Sequence, residues 1–234
     1  MARKNLNGYY NEEILTKFRN ALRDAIKEVE NGTVNTVSIS KGNVKMGAVS
    51  SVSLLPFLTC PSVCKGTCGK DCYAAKLANL RNSVLKSYAR NTALLMRRPD
   101  LFWLGVEYAV KASRFFRFHV SGDIPNKAYF EKMVSIARDN KYCQILAFTK
   151  QYGIVNEYIN ANGDLPENMH ILFSGWQNLT PDNPYELPET NVYDRNETPN
   201  DEWLLCGGNC FECGCRGVGC WQANKGDVIA FRKH

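Results

Sequence analysis

Between residues 11 and 31 the apolar positions Ile14, Leu15, Phe18, Ala21, Leu22, Ala25, Ile26 and Val29 recur at helical spacing, and Asn31-Gly32 supplies a stop. This predicts an amphipathic helix packed against the main body. Two β-rich segments follow, NTVSIS and GAVSSVSLLP. A helical stripe then runs through Tyr73, Leu77, Leu80, Val84, Tyr88 and Leu95 until Arg98-Pro99 breaks it, and residues 100–112 make a further helix. Beyond that point the period alternates. FFRFHVS (115–121), CQILAFT (143–149) and MHILFSGW (169–176) are of strand type, separated by an amphipathic helix over 126–139 and a short helix over 153–162 ended by Asn162-Gly163. Strands alternating with helices imply an α/β fold with a parallel sheet, either open or curled toward a partial (βα) barrel. Residues 177–202, with four prolines, many acids and few apolar side chains, read as a long loop, either a solvated linker or a lid. The chain thus divides into residues 1–48 (the N-terminal helix and β-rich segment), 49–176 (the α/β core) and 177–234 (the acidic loop and C-terminal segment).

Composition changes this picture little. A length of 234 residues suits one α/β domain, and 44% hydrophobic with 22% charged residues is ordinary for a globular protein. No apolar run is long enough to span a bilayer, and MARKNLNGYYNEE lacks the apolar core of a signal peptide, so the expected compartment is the cytoplasm and no membrane partner is expected. A net charge of +6 permits a phosphate or nucleic-acid partner without requiring one. Lys86, Arg90 and Arg97 share one face of the long helix, which is either a solvated surface or a phosphate contact.

The cysteines change the picture more. Cys60, Cys64, Cys68 and Cys72 lie at equal gaps of three residues in a loop carrying Pro61, Gly66 and Gly69, directly after SSVSLLP. Cys206, Cys210, Cys213, Cys215 and Cys220 crowd a second Gly-rich segment, and the tenth cysteine, Cys143, reads as a small buried hydrophobe. In a reducing compartment such density points to metal or redox chemistry in place of disulfides. Thiolates suit zinc, copper(I) and iron–sulfur clusters. Zinc favours C-x2-C pairs, and only Cys210 and Cys213 are so spaced, whereas clusters accept wider and uneven gaps. The expectation is an iron–sulfur cluster of the 4Fe-4S type, with zinc as the alternative.

Ligands of a parallel α/β sheet bind beyond the carboxyl ends of its strands. The first cysteine loop, then His119, Ser121, Gly122 and Asp123, then Thr149 and Lys150, and finally Ser174, Gly175 and Trp176 all fall at such ends. Each has a plainer reading: a hydrogen-bonded strand histidine, a helix-capping aspartate, a surface lysine, a packing tryptophan.

Cys60-Pro61 through Cys72-Tyr73-Ala74, Arg117 to Asp123, Phe148-Thr149-Lys150 and the terminal loop ending Cys220-Trp221 together resemble the bacteriophage gene product eighty-eight family. That resemblance implies a phage or prophage origin, hence a host-cell cytoplasm, and no particular reaction. More loosely, the chain is similar to radical S-adenosylmethionine (SAM) barrels, whose cysteine loop follows the first strand and whose Gly-rich acidic motif ends the second. This similarity implies a cluster on the first loop, SAM held by Ser121, Gly122 and Asp123, and catalytic roles for His119, Asp123 and Lys150. The cysteine spacing and the fourth nearby cysteine depart from that pattern. The leading expectation is an iron–sulfur protein on such a scaffold, acting on a small molecule or a nucleic acid, with the terminal cysteines on a second metal. The alternative is a zinc-stabilised accessory protein that binds nucleic acid or a host protein.

Overall fold

A computed structural model describes residues 8–194 and 196–233. The start of the segment expected to lack a signal peptide, residues 1–7, lies outside the described residues. The first helix, α1 (Glu12–Glu30), is capped by the Asn11 side chain, which accepts from the Ile14 N–H at 3.0 Å, and Glu12 and Glu13 occupy its positive end. Its apolar stripe (Ile14, Leu15, Phe18, Ala25, Val29) is buried, as the periodicity requires.

Among the described residues eight strands form one sheet: β1 (Ile39–Ser40), β2 (Ser50–Val52), β3 (Phe115–Phe118), β4 (Gln144–Thr149), β5 (Met169–Ser174), β6 (Glu189–Tyr193), β7 (Leu204–Leu205) and β8 (Val228–Arg232). Their order is β1-β2-β3-β4-β5-β6-β8-β7, antiparallel only between β1 and β2. The sheet stays open, since β1 and β7 lie at opposite edges and do not pair. Strands β2 to β6 add in sequence order, the winding of a barrel that does not close.

Between β2 and β3 run α2 (Tyr73–Leu80), α3 (Asn82–Arg97) and α4 (Pro99–Lys111); α5 (Lys127–Asp139) and α6 (Tyr152–Asn162) connect β3 to β4 and β4 to β5. Phe116, Phe118, Ile145, Ala147, Ile171 and Phe173 face this helical layer. The alternate residues Phe115, Leu146 and Leu172 point to the other face. There the C-terminal segment, with α7 (Cys210–Arg216) and Trp221, covers them. No helix among the described residues is long and apolar enough to cross a membrane.

Two expectations need correction, and a third gains detail. The stripe from Tyr73 to Leu95 is two helices, broken where Arg81 turns extended (φ −124°, ψ 105°) and Leu80 is left 71% exposed. The break suits the Asn79-to-Ser83 run, whose polar side chains favour helix ends, and Lys17 donates to the Asn79 carbonyl and side-chain oxygen at 2.7 and 3.0 Å. The expected loop over 177–202 contains β6, which lies between β5 and β8. ETNVY carries little apolar signal, so pairing on both sides makes this strand. Finally, two of the three cations on the α3 basic face are paired to α1: Arg90 grips Glu28 through two bonds of 2.7 and 3.0 Å, and Arg97 meets Glu30 at 3.2 Å. Two cations of that face therefore join α3 to α1, while Lys86 stays exposed.

Candidate functional site

The loop after β2 is built in two short turns of 3-10 helix, Ser62–Lys65 and Cys68–Asp71, after which Cys72 caps α2 by accepting from the Ala75 N–H at 3.5 Å. Cys60 Sγ accepts from the Phe57 N–H at 3.4 Å. These turns bring Cys60, Cys64, Cys68 and Cys72 to the wall of one cavity of about 270 Å3. Gly122 makes the approach feasible. Its φ is +81°, and a Cβ there would lie 2.6 Å from Thr59 Oγ1 and 2.9 Å from Leu54 Cβ.

The same cavity is lined by His119, Ser121, Gly122 and Asp123 beyond β3, Thr149 and Lys150 at the end of β4, and Ser174, Gly175 and Trp176 at the end of β5. The structure thus brings the first four cysteines and every rim residue named from the sequence to one place. Cys206, Cys210, Cys213, Cys215 and Cys220 are not in its wall.

Within this wall the polar groups divide into those already engaged and those without a partner. Asp123 is buried and engaged: one carboxylate oxygen accepts from the Ile124 N–H (2.7 Å) and Thr149 Oγ1 (2.6 Å), the other from the Lys150 N–H (2.9 Å). Burial pushes its carboxyl above the usual range while these bonds pull against the rise. Asp123 therefore ties the end of β3 to the end of β4. Lys150 Nζ donates to Ser174 Oγ at 2.6 Å and lies 5.8 Å from the centre of the Trp176 ring.

His119 is held at φ +60°, with Nε2 3.0 Å from Tyr129 Oη. Burial, then the nearby Arg117 cation, lower it to about 3, so at neutral pH it is an uncharged imidazole. His119 Nδ1 and Ser121 Oγ are buried and find no hydrogen-bond partner among the described residues. Such atoms in a cavity wall are the ones a ligand would satisfy.

Three thiols of the loop are raised as well. Interaction with Cys60 and burial push Cys64 far up, interaction with Cys64 and burial do the same to Cys68, and burial takes Cys72 to about 11. The Lys150 charge opposes the rise at all three. Free of metal, these thiols stay protonated at neutral pH, and a soft cation would have to displace their protons. Among the described residues no group of three or more His, Cys, Asp or Glu side chains is arranged to hold a metal ion as the side chains stand. By donor chemistry the loop nonetheless fits a thiophilic group, because four sulfurs share one wall with a cation that offsets thiolate charge.

Sequence reading missed several members of this wall. Arg117, a charge inside the strand FFRF, stacks 4.5 Å from the centre of the Phe148 ring. That lone charge was the available signal. Tyr73 donates to the Val120 carbonyl at 2.6 Å, and Lys233 bonds Asp71 at 3.0 Å across the cavity mouth. Nothing local marks Lys233, which arrives only because β8 inserts beside β6. Cys143 is buried at the start of β4, its thiol raised to about 12 by burial, as a small core residue.

Residues 14–205 match the family described as gene product 88. The chain is 30% identical over 131 residues to the Gene 88 protein of Mycobacterium phage L5, a match covering 50% of this chain and 54% of that relative. The chain thus matches about half the length of this curated relative. No solved structure matches it.

Proposed function

The chain belongs to the gene product 88 family, and for this member we propose an iron–sulfur protein whose first cysteine loop holds a cluster in a cavity that also admits a small ligand such as SAM. One observation carries the reading. Cys60, Cys64, Cys68 and Cys72 share a single cavity wall with unpartnered polar atoms and a buried lysine supplied by the ends of two other strands.

In this reading three or all four of these cysteines are the ligands. A bound cluster supplies one-electron redox chemistry and, where one iron is left without a thiolate, a position for a ligand's donor atoms. The chain's own groups do the rest. Lys150, fixed by Ser174, sets positive charge against the thiolates. Ser121 Oγ and His119 Nδ1 offer hydrogen bonds to the ligand, and Trp176 offers a flat apolar face. Neutral His119 serves as an acceptor or a neutral donor, not as an imidazolium acid. Asp123 acts through Thr149 and Lys150, holding the rim in shape.

Anaerobic purification followed by iron and sulfide analysis tests the cluster, and reduction with dithionite in the presence of SAM, read as 5′-deoxyadenosine, tests the reaction. Iron and sulfide lost on replacing Cys60, Cys64 and Cys68 with Ala support the reading. Protein free of iron and sulfide after anaerobic reconstitution overturns it.

A further inference from the structure

We infer that Cys206, Cys210, Cys213 and Cys220 form a second, closed metal site that takes a structural zinc ion, with Cys215 outside it. The site does not depend on what the first loop binds.

Asn209 caps α7, accepting from the Glu212 N–H at 3.2 Å, and this sets Cys210 and Cys213 three residues apart on one helical face. Gly217, in the left-handed conformation, ends the helix and turns the chain back, with the Val218 N–H bonded to the Cys213 carbonyl at 3.0 Å. The turn delivers Gly219, whose Cβ position would lie 3.7 Å from Cys213 Sγ, and the next residue is Cys220. From the other side, the Cβ position of Gly207 would lie 3.1 Å from the same sulfur, and the residue before it is Cys206. Two glycines therefore bring the neighbours of Cys206 and Cys220 against one thiol. Cys206 and Cys215 are both exposed, but no glycine turn sets a neighbour of Cys215 against the Cys213 sulfur.

The setting is covered on the side of the sheet. Cys210, Cys213 and Cys220 pack on the apolar cluster of Phe115, Leu146 and Trp221, and Trp221 Nε1 donates to the Cys210 carbonyl at 2.8 Å. None of the four lines the rim cavity, and Cys220 alone of them borders a separate cavity of about 240 Å3 beside His170. Four thiols including a C-x2-C pair fit the tetrahedral all-protein site of structural zinc. Binding completes the site by rotating these side chains, α7 and the glycine turns holding their places. The ion would pin the C-terminal segment to the sheet ahead of β8, whose following residue Lys233 reaches Asp71 at the cavity mouth.

The test uses the full chain. Metal analysis should find one zinc per chain. That zinc should survive Cys215→Ser, survive replacement of Cys60, Cys64, Cys68 and Cys72 by Ala, and vanish in a Cys210→Ser/Cys213→Ser variant. Should the last variant fail to fold, iodoacetamide labelling of the unaltered chain decides. Cys215 should label before chelation, and Cys206, Cys210, Cys213 and Cys220 only after it. Zinc lost from Cys215→Ser, zinc lost with the first-loop cysteines, or all five terminal thiols labelling alike would each overturn the inference.

Discussion

The two cysteine-rich segments present the same donor atom in opposite settings. The first is a run of 3-10 turns at the carboxyl end of β2, and its thiols share a cavity with a lysine, an imidazole and the unpartnered Ser121 hydroxyl. The second is a short helix with tight glycine turns, laid over Phe115 and Trp221 on the sheet face away from the helices. Arg117 and Tyr73 line the wall of the first cavity beside Cys72. The contrast teaches that thiol count and spacing define what an ion is offered, whereas the neighbours decide whether a ligand can join it. An open wall suits chemistry and a covered one suits stability.

The sharpest way to break this comparison is to remove one sulfur from each side. Cys213→Ser should cost more than about 4 kcal/mol in urea unfolding, the range of a lost structural metal, and should free the C-terminal segment to proteolysis. Cys64→Ala should abolish bound iron while changing unfolding far less. Equal losses of stability from both would erase the distinction.

A smaller effect is expected from the rim clamp. Asp123→Ala leaves Thr149 Oγ1 and the Lys150 and Ile124 N–H groups without their acceptor in a buried place, a cost of about 2–4 kcal/mol. It should disturb the ligand cavity and leave zinc at the terminal site. Thermal unfolding with parallel zinc analysis checks both parts, and unchanged stability would show that the clamp carries no load.

Each region also holds one histidine, buried at the rim and half-buried under Trp221, which gives the mildest test. His119 sits at the rim, lowered by burial to about 3, and His170 lies under Trp221, lowered by burial to about 4. Both fall below the ordinary 6.5, so the unfolded chain binds protons that the folded chain refuses. Their contribution is fully present above pH about 6.5 and is lost progressively as pH falls toward 3 to 4. Melting temperature should decline over that window, and His119→Asn, whose side chain tolerates a left-handed backbone, should flatten the slope. A melting temperature constant from pH 7 to pH 4 would contradict the burial of both rings.

Much of this was legible in the residues. The runs FFRF, QILAFT and MHILFS announce β3, β4 and β5 because a sheet covered on both faces needs near-continuous apolar strands. Once those strands were placed, the rule that ligands gather at strand ends gathered the first cysteines, His119, Ser121, Asp123 and Lys150 correctly. What stayed hidden depends on pairing across the chain. β6 is polar in its own sequence and exists through β5 and β8, and Lys233 meets Asp71 only through that insertion. The bonds that engage Asp123 were hidden because their donors, Thr149 and Lys150, lie on another strand. The basic face of α3 looked open because Glu28 and Glu30 lie some sixty residues earlier, on α1.

The claim that the two thiol groups are two different kinds of site meets its most direct test in anomalous diffraction. Data would be collected at the iron and zinc absorption edges from crystals of anaerobically prepared protein. The account predicts an iron peak among Cys60, Cys64, Cys68 and Cys72 and a separate zinc peak among Cys206, Cys210, Cys213 and Cys220. A single peak shared by both groups, or the same element at both, would contradict it.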